Sequence, residues 1–148
     1  MKIYLATDHA GYELKESLKM HLLTKDIEVE DCGAHSFDPA DDYPDFIIPA
    51  AQKVAEDSGS LGIIMGGSGQ GEAMAANRIK GVRAAVYYDG PLDIIELSKT
   101  HNNANVLSLG ARFVSAEKAR EVVDLWLEKS FEGGRHQHRL EKLDTILC

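Results

Sequence analysis

Leu61-Gly62-Ile63-Ile64-Met65-Gly66-Gly67-Ser68-Gly69-Gln70-Gly71-Glu72 is a short apolar run that breaks into glycines and closes on an acid. Ala73-Met74-Ala75-Ala76-Asn77 follows, so the spacing predicts a buried strand, a tight turn and the first turn of a helix. A turn of this kind aims several backbone N–H groups at one point, with the positive end of a helix dipole behind them. It suits negative charge on oxygen.

Glu72 sets this loop apart from better-known glycine loops. A nucleotide-binding P-loop needs Lys and Ser/Thr after its last glycine, where this chain has Glu72 and Ala73. No frame supplies the glycine spacing of a dinucleotide fingerprint. The hydrolase elbow fails because Gln70 stands where its closing glycine belongs. A carboxylate beside an anion hole repels phosphate, but it is well placed to take a proton from carbon while the amides stabilise the oxyanion. The same residues also fit a plain strand-to-helix turn whose first-turn Glu complements the dipole.

The chain has 148 residues, 44% of them hydrophobic and 27% charged, which suits one globular domain with a real core. A formal net charge of −8 argues against a nucleic-acid partner, so an anionic substrate needs a local basic cluster. Cys32 and Cys148 give neither a disulfide framework nor metal spacing and fit a reducing cytoplasm. The opening run Ile3–Thr7 stops at Asp8, too short for a signal peptide, and no segment reaches membrane-spanning length.

Strand-like and helix-like patterns alternate from end to end. Strands are expected at Lys2–Thr7, Ile27–Asp31, Leu61–Met65, Arg83–Tyr87 and Val106–Leu109. Between and after them fall helical stripes: Leu14, Leu18 and Leu22; Ile47, Ala50, Ala51 and Val54; and a helix from about Pro91 to Thr100. Ala119, Val122, Val123, Trp126 and Leu127 mark a long helix, and Leu140, Leu143 and Leu147 a terminal one. Pro49 is compatible with its helix only in the first turn. The expected architecture is α/β: a single three-layer α/β/α domain over residues 1–148, with a five-stranded parallel sheet, Rossmann-like and ordered 2-1-3-5-4.

Ligands of such sheets bind at the carboxyl ends of the strands. Asp8-His9 follows the first strand, the loop with Ser68 and Glu72 the third, and Gly110-Ala111-Arg112 the fifth. His101-Asn102-Asn103 follows the fourth helix, whose negative dipole end favours an imidazolium, and these groups are expected to converge in one crevice. Taken singly, Asp8 also reads as a helix cap and His101 as a helix end. Gly133-Gly134-Arg135-His136-Gln137-His138-Arg139 is the one dense cationic patch. Arg135 and Arg139 share a helical face bordering Leu140 and Leu143, so their guanidinium groups are expected to point at protein and grip a phosphate. A solvated basic helix end fits the same residues. A metal site at His136 and His138 is disfavoured for want of acidic partners nearby.

These motifs together resemble the type B ribose-5-phosphate isomerases, relatives of the galactose-6-phosphate isomerase subunits. The resemblance spans essentially the whole chain. It rests on Asp8-His9-Ala10-Gly11, Asp42-Tyr43-Pro44, Gly66 through Glu72, Ala75-Ala76-Asn77, His101-Asn102-Asn103, Gly110-Ala111-Arg112 and Gly133 through Arg139. One branch of the family carries a cysteine base at the position of Gly66; the other uses a glutamate at the position of Glu72, as here. Neither Cys32 nor Cys148 is then expected to be catalytic.

The resemblance implies aldose–ketose isomerisation of a pentose 5-phosphate through an enediolate, with no metal or organic cofactor. It assigns ring opening to His101 with help from Asp8, and proton transfer between carbon 2 and carbon 1 to Glu72. The amides of Gly67, Ser68, Gly69, Gln70 and Gly71 would stabilise the oxyanion, with Ser68 as a relay. Arg135, Arg139, His9 and Arg112 would hold the phosphate, and Asn102 and Tyr43 the sugar hydroxyls. It also implies a homodimer or homotetramer whose sites draw residues from two subunits. The same chemistry on a hexose 6-phosphate (galactose or allose) or a tetrose phosphate stays open, because pocket depth and hydroxyl contacts decide it. A non-catalytic nucleotide- or flavin-binding domain is disfavoured by the failed loop motifs. A receiver-like domain would need an acid where Gly66 stands.

Overall fold

Strand alternation divides the core into two halves. The computed structural model describes residues 1–147, the side chain of Leu147 excepted. Its strands are β1 (Lys2–Thr7), β2 (Glu28–Asp31), β3 (Leu61–Gly66), β4 (Ala84–Tyr87) and β5 (Val106–Gly110). They form one parallel sheet in the order β2-β1-β3-β5-β4, as expected. The helices are α1 (Tyr12–Leu23), α2 (Pro44–Glu56), α3 (Gln70–Ala76), α4 (Asp93–Thr100), α5 (Ala116–Glu128) and α6 (Arg135–Asp144).

Successive side chains of a strand face opposite sides. Ile3, Leu5, Ile63, Met65, Leu107 and Leu109 therefore pack against Leu14, Leu18 and Leu22 of α1, Ile95 of α4 and Trp126 of α5. Tyr4, Ala6, Ile64 and Val106 pack on the other face against Ile47, Ala50, Ala51 and Val54 of α2 and Ala76 of α3. Burying each large apolar side chain contributes about 1.5–3 kcal/mol, so the two-sided strands anchor the site's loops on a rigid frame. Lys15 of α1 is fully buried, yet its ammonium reaches Asp31 at 2.6 Å. Burial alone would raise the Asp31 carboxyl; hydrogen bonds from Lys15, Lys19 and the Gly33 N–H override it and hold it at about 2.

Several boundaries differ from expectation. β4 begins at Ala84 because the Arg83 N–H donates to the Asn105 side chain at 2.7 Å instead of joining the ladder. Pro49 lies in the interior of α2, while Pro44 takes its first turn. Pro49 faces solvent, and the buried stripe from Ile47 to Val54 holds the helix together despite the missing N–H. On α6, Leu140 is buried, but Leu143, Arg135 and Arg139 are exposed. Within one chain the guanidinium groups therefore face solvent and not protein, because α6 buries only its His136–Leu140 edge. Cys32 is a half-buried thiol pushed up by burial, and Cys148 lies outside the described residues. Among the described residues no helix is long and apolar enough to cross a membrane.

Candidate active site

The glycine loop leaves β3 and turns hard against β5. Gly69 has φ 76°, and a Cβ on it would come within 2.9 Å of the Leu109 carbonyl carbon, so only glycine fits this turn. The buried Ser108 hydroxyl donates to the Gly69 carbonyl at 2.6 Å and pins the turn from below. α3 then starts at Gln70 and places Glu72 in its first turn.

Glu72 folds back over the end of β3. It is 4% exposed, and its carboxylate lies where a side chain on Gly66 would have to go. Burial raises its pKa and the nearby Asp8 charge adds to this, against its own N–H, Arg112 and the Gly69 N–H. A carboxylate made more basic in this way is a better acceptor for a proton on carbon. It stands at the end of β3, beside the glycine loop whose amides an enediolate oxygen needs.

Other groups of the carboxyl rim surround this acid. Asp8 is buried and accepts a hydrogen bond from the Ala10 N–H at 2.9 Å, so it caps the short turn His9–Gly11 while standing near Glu72. The Arg112 guanidinium lies over Gly67, 2.9 Å from where a Cβ would be, and the Tyr43 ring covers Gly71 at the same distance. Ser68 Oγ accepts weakly from the Gln70 N–H at 3.4 Å. Asp41 fixes His9 twice: Oδ1 accepts the His9 N–H at 2.9 Å and lies 2.7 Å from Nδ1. That hydrogen bond raises the His9 pKa, as do the charges of Asp8 and Asp41, against burial and Arg112. The shift favours the imidazolium, which suits an anionic group. The second oxygen, Asp41 Oδ2, is buried without a hydrogen-bond partner.

His101, Asn102, Arg135 and Arg139 are elsewhere. The Gly62 N–H at the start of β3 donates to the Asn105 carbonyl, and Gly66 at its end lies beside Gly110. Residues 101–105 therefore belong to the amino rim of the sheet. β5 has five residues at roughly 3.3 Å each, so about 16 Å of strand separates the rims. At the amino rim His101 closes α4, and its ring stacks on that of His136 at 4.1 Å between centroids. The Glu132 N–H donates to the Thr100 carbonyl, which brings the basic helix alongside.

One chain thus gathers Asp8, His9, Tyr43, Gly67 through Gly71, Glu72 and Arg112, and does not bring His101, Asn102, Arg135 or Arg139 to them. Alternation locates strand ends, but a helix running back along the sheet ends on the opposite rim, and this corrects the single crevice expected from the sequence. Sequence reasoning also passed over Asp41 and Glu132. Asp41 sits in the acidic run Asp38-Pro39-Ala40-Asp41-Asp42, where no periodicity distinguishes one acid from another. Glu132 stands four residues before His136, a spacing that could have revealed it.

Among the described residues two clusters have donor atoms close enough for a metal ion: Asp8, His9 and Asp41, and His101, Glu132 and His136. The first is engaged internally, since His9 bonds Asp41 and Asp8 caps its turn.

This arrangement has close counterparts. The family model described as Ribose/Galactose Isomerase matches residues 3–143. The chain is 45% identical to a probable ribose-5-phosphate isomerase B of Mycoplasma genitalium, over 95% of this chain and 92% of that protein. It is 42% identical to the ribose-5-phosphate isomerase B of Mycobacterium leprae, over 97% and 88%. The crystal structure of the Mycoplasma genitalium ribose-5-phosphate isomerase B with bound ribulose-5-phosphate superposes with a TM-score of 0.93 at 44% identity, covering 98% of this chain and 95% of that one. The Thermotoga maritima enzyme gives 0.91 at 44% identity, with 97% of each chain covered. A match from Ile3 to Leu143, joined to near-complete overlap with these isomerases in sequence and fold, makes the chain a member of the Ribose/Galactose Isomerase family.

Proposed function

We propose that residues 1–148 act as a single sugar-phosphate isomerase domain. It interconverts D-ribose 5-phosphate and D-ribulose 5-phosphate through an enediolate, in a homo-oligomer in the cytoplasm. The observation that carries this reading is the buried Glu72 carboxyl folded over the end of β3 beside the glycine loop. The bound ribulose-5-phosphate of the Mycoplasma genitalium relative supports the choice of sugar.

In this reading His101 protonates the ring oxygen as its bond to carbon 1 breaks, while Asp8 orients the carbon 1 hydroxyl and takes its proton, which leaves the open-chain aldehyde. Glu72 takes the proton from carbon 2 and returns it to carbon 1. The loop amides hold the negative oxygen, and Ser68 passes a proton between the two sugar oxygens. Arg135 and Arg139 bind the phosphate with His9 and Arg112, while Tyr43 and Asn102 contact hydroxyls. General-base catalysis contributes roughly 10²–10⁴ in rate. An oxyanion donor contributes about 10²–10³ more. A carboxylate acting on a carbon acid needs both.

Residues on opposite rims meet only if two copies pair with the amino rim of one against the carboxyl rim of the other. A two-fold axis does this twice, which favours a dimer, or a tetramer built from dimers, with His101, Asn102, Arg135 and Arg139 of one copy serving Glu72 of the other.

A panel of sugar phosphates compared by kcat/KM tests the reading. Ribose 5-phosphate is expected to exceed allose 6-phosphate, galactose 6-phosphate and erythrose 4-phosphate by at least tenfold. A hexose phosphate preferred over ribose 5-phosphate contradicts it.

A further inference from the structure

Beside the basic helix, Glu132 and His136, which neither the core nor the isomerisation explains, form a constellation with His101. Nε2 of His101 and Nε2 of His136 lie 3.9 and 3.8 Å from the same oxygen of Glu132. Neither separation is a hydrogen bond, so the carboxylate is shared between two nitrogens and bonded to neither by this pair of atoms. The imidazole rings are nearly parallel, 17° apart, and their donor atoms and the carboxylate oxygen all fall within 4.8 Å of one another.

We propose that His101, Glu132 and His136 form an inhibitory site for a divalent transition-metal ion of the zinc class. Zinc takes imidazole nitrogen at about 2.0–2.1 Å and carboxylate oxygen at about 2.0–2.2 Å, which sets tetrahedral donors roughly 3.3 Å apart. Each of the two measured approaches needs to shorten by about half an ångström, and the more exposed His101 ring must also turn out of its stack on His136, so that both in-plane imidazole lone pairs aim at one ion. His136 is buried and fixed in the first turn of α6, whereas Glu132 is 59% exposed and able to swing inward. Two imidazoles and one carboxylate suit zinc, cobalt or nickel better than magnesium or calcium, which prefer all-oxygen shells. The neighbouring Arg135 and Arg139 guanidinium groups oppose a cation, so the site is weak and reversible. A metal at His136 and His138 is disfavoured for want of an acid, whereas His136 with His101 has Glu132 beside it.

The inhibitory role rests on the reading of His101 as the ring-opening acid. An ion on Nε2 occupies the lone pair that would carry the proton, so the occupied protein opens rings slowly.

The test titrates chelator-stripped protein with zinc chloride, following heat by calorimetry and turnover of ribose 5-phosphate in parallel, and repeats the titration with cobalt(II) to read ligand-field absorption. One zinc per chain, a parallel fall in turnover and no response to magnesium are expected. Glu132→Gln should keep metal-free turnover close to wild type and weaken zinc binding by roughly tenfold or more. His138→Ala, at an exposed residue outside the cluster, should bind as wild type does. Zinc affinity unchanged in both Glu132→Gln and His136→Ala, or no binding at all, overturns the site. Glu132-dependent binding with undiminished turnover overturns its inhibitory role. Should the metal-free protein fail to isomerise ribose 5-phosphate, the functional reading falls, while calorimetry and cobalt absorption still decide the site.

Discussion

The carboxylate of Glu72 fills the space that a side chain on Gly66 would need. The two positions are six residues apart in sequence but share one volume at the end of β3. A base delivered from either position would therefore act on the same point, and the two cannot be occupied together.

Gly66→Ala should displace the base without unfolding the chain, because the obstructing atoms are the far end of the Glu72 side chain and not backbone. We expect kcat to fall by about a hundredfold, the low end of what a general base supplies. Thermal unfolding should shift by only a few degrees. Steady-state kinetics and a melting curve on one sample check this; a variant with normal kcat contradicts it.

Asp41 should act on the phosphate end through His9. Its oxygen 2.7 Å from Nδ1 favours the imidazolium, so the His9 pKa is raised above the ordinary histidine value. Loss of that proton as pH rises weakens anion binding, so KM should climb on the alkaline side. In Asp41→Asn the climb should begin at lower pH, with KM raised by about tenfold at neutral pH. A KM profile that coincides with wild type would remove Asp41 from this role.

The acid side of the rate profile should report Glu72. A base works only when deprotonated, and burial has raised this carboxyl. As pH falls, kcat/KM should therefore begin to decline above the range of an ordinary glutamate. Replacing Arg112 by Met removes a cation that opposes the shift and should move the decline further upward. A decline centred at or below the ordinary glutamate value disagrees with the burial.

Mixing two inactive variants tests how the site is assembled. Glu72→Gln and His101→Asn should each be nearly inactive alone. In a mixed two-fold dimer one site carries both lesions and the other carries neither, so statistical exchange should restore about a quarter of wild-type turnover. Activity recovered after co-refolding or co-expression supports shared sites, and no recovery in a verified mixed dimer opposes them.

Much of the fold is legible in the residue pattern because buried parallel strands have few alternatives. Runs such as Leu61–Gly66 and Val106–Gly110 are apolar on both faces and can lie only between helical layers. Glu72 is legible for a related reason, since an acid in a glycine turn has little structural cause to be there. What the pattern conceals is distance. His101 follows a helix that runs back along the sheet, and nothing local marks which rim it reaches. Arg135 and Arg139 have the right spacing, but their exposure follows from where α6 docks, which depends on contacts remote in sequence. Asp41 is hidden among neighbouring acids, and only its bond to His9 singles it out.

Glu72→Gln, assayed for ribose 5-phosphate turnover alongside direct measurement of substrate affinity, bears most directly on the account. The amide keeps the shape and hydrogen-bonding reach of the side chain but cannot accept a proton from carbon. Turnover should drop by at least 10² while affinity changes by less than about threefold. Turnover close to wild type in a properly folded Glu72→Gln protein would contradict the assignment of Glu72 as the base.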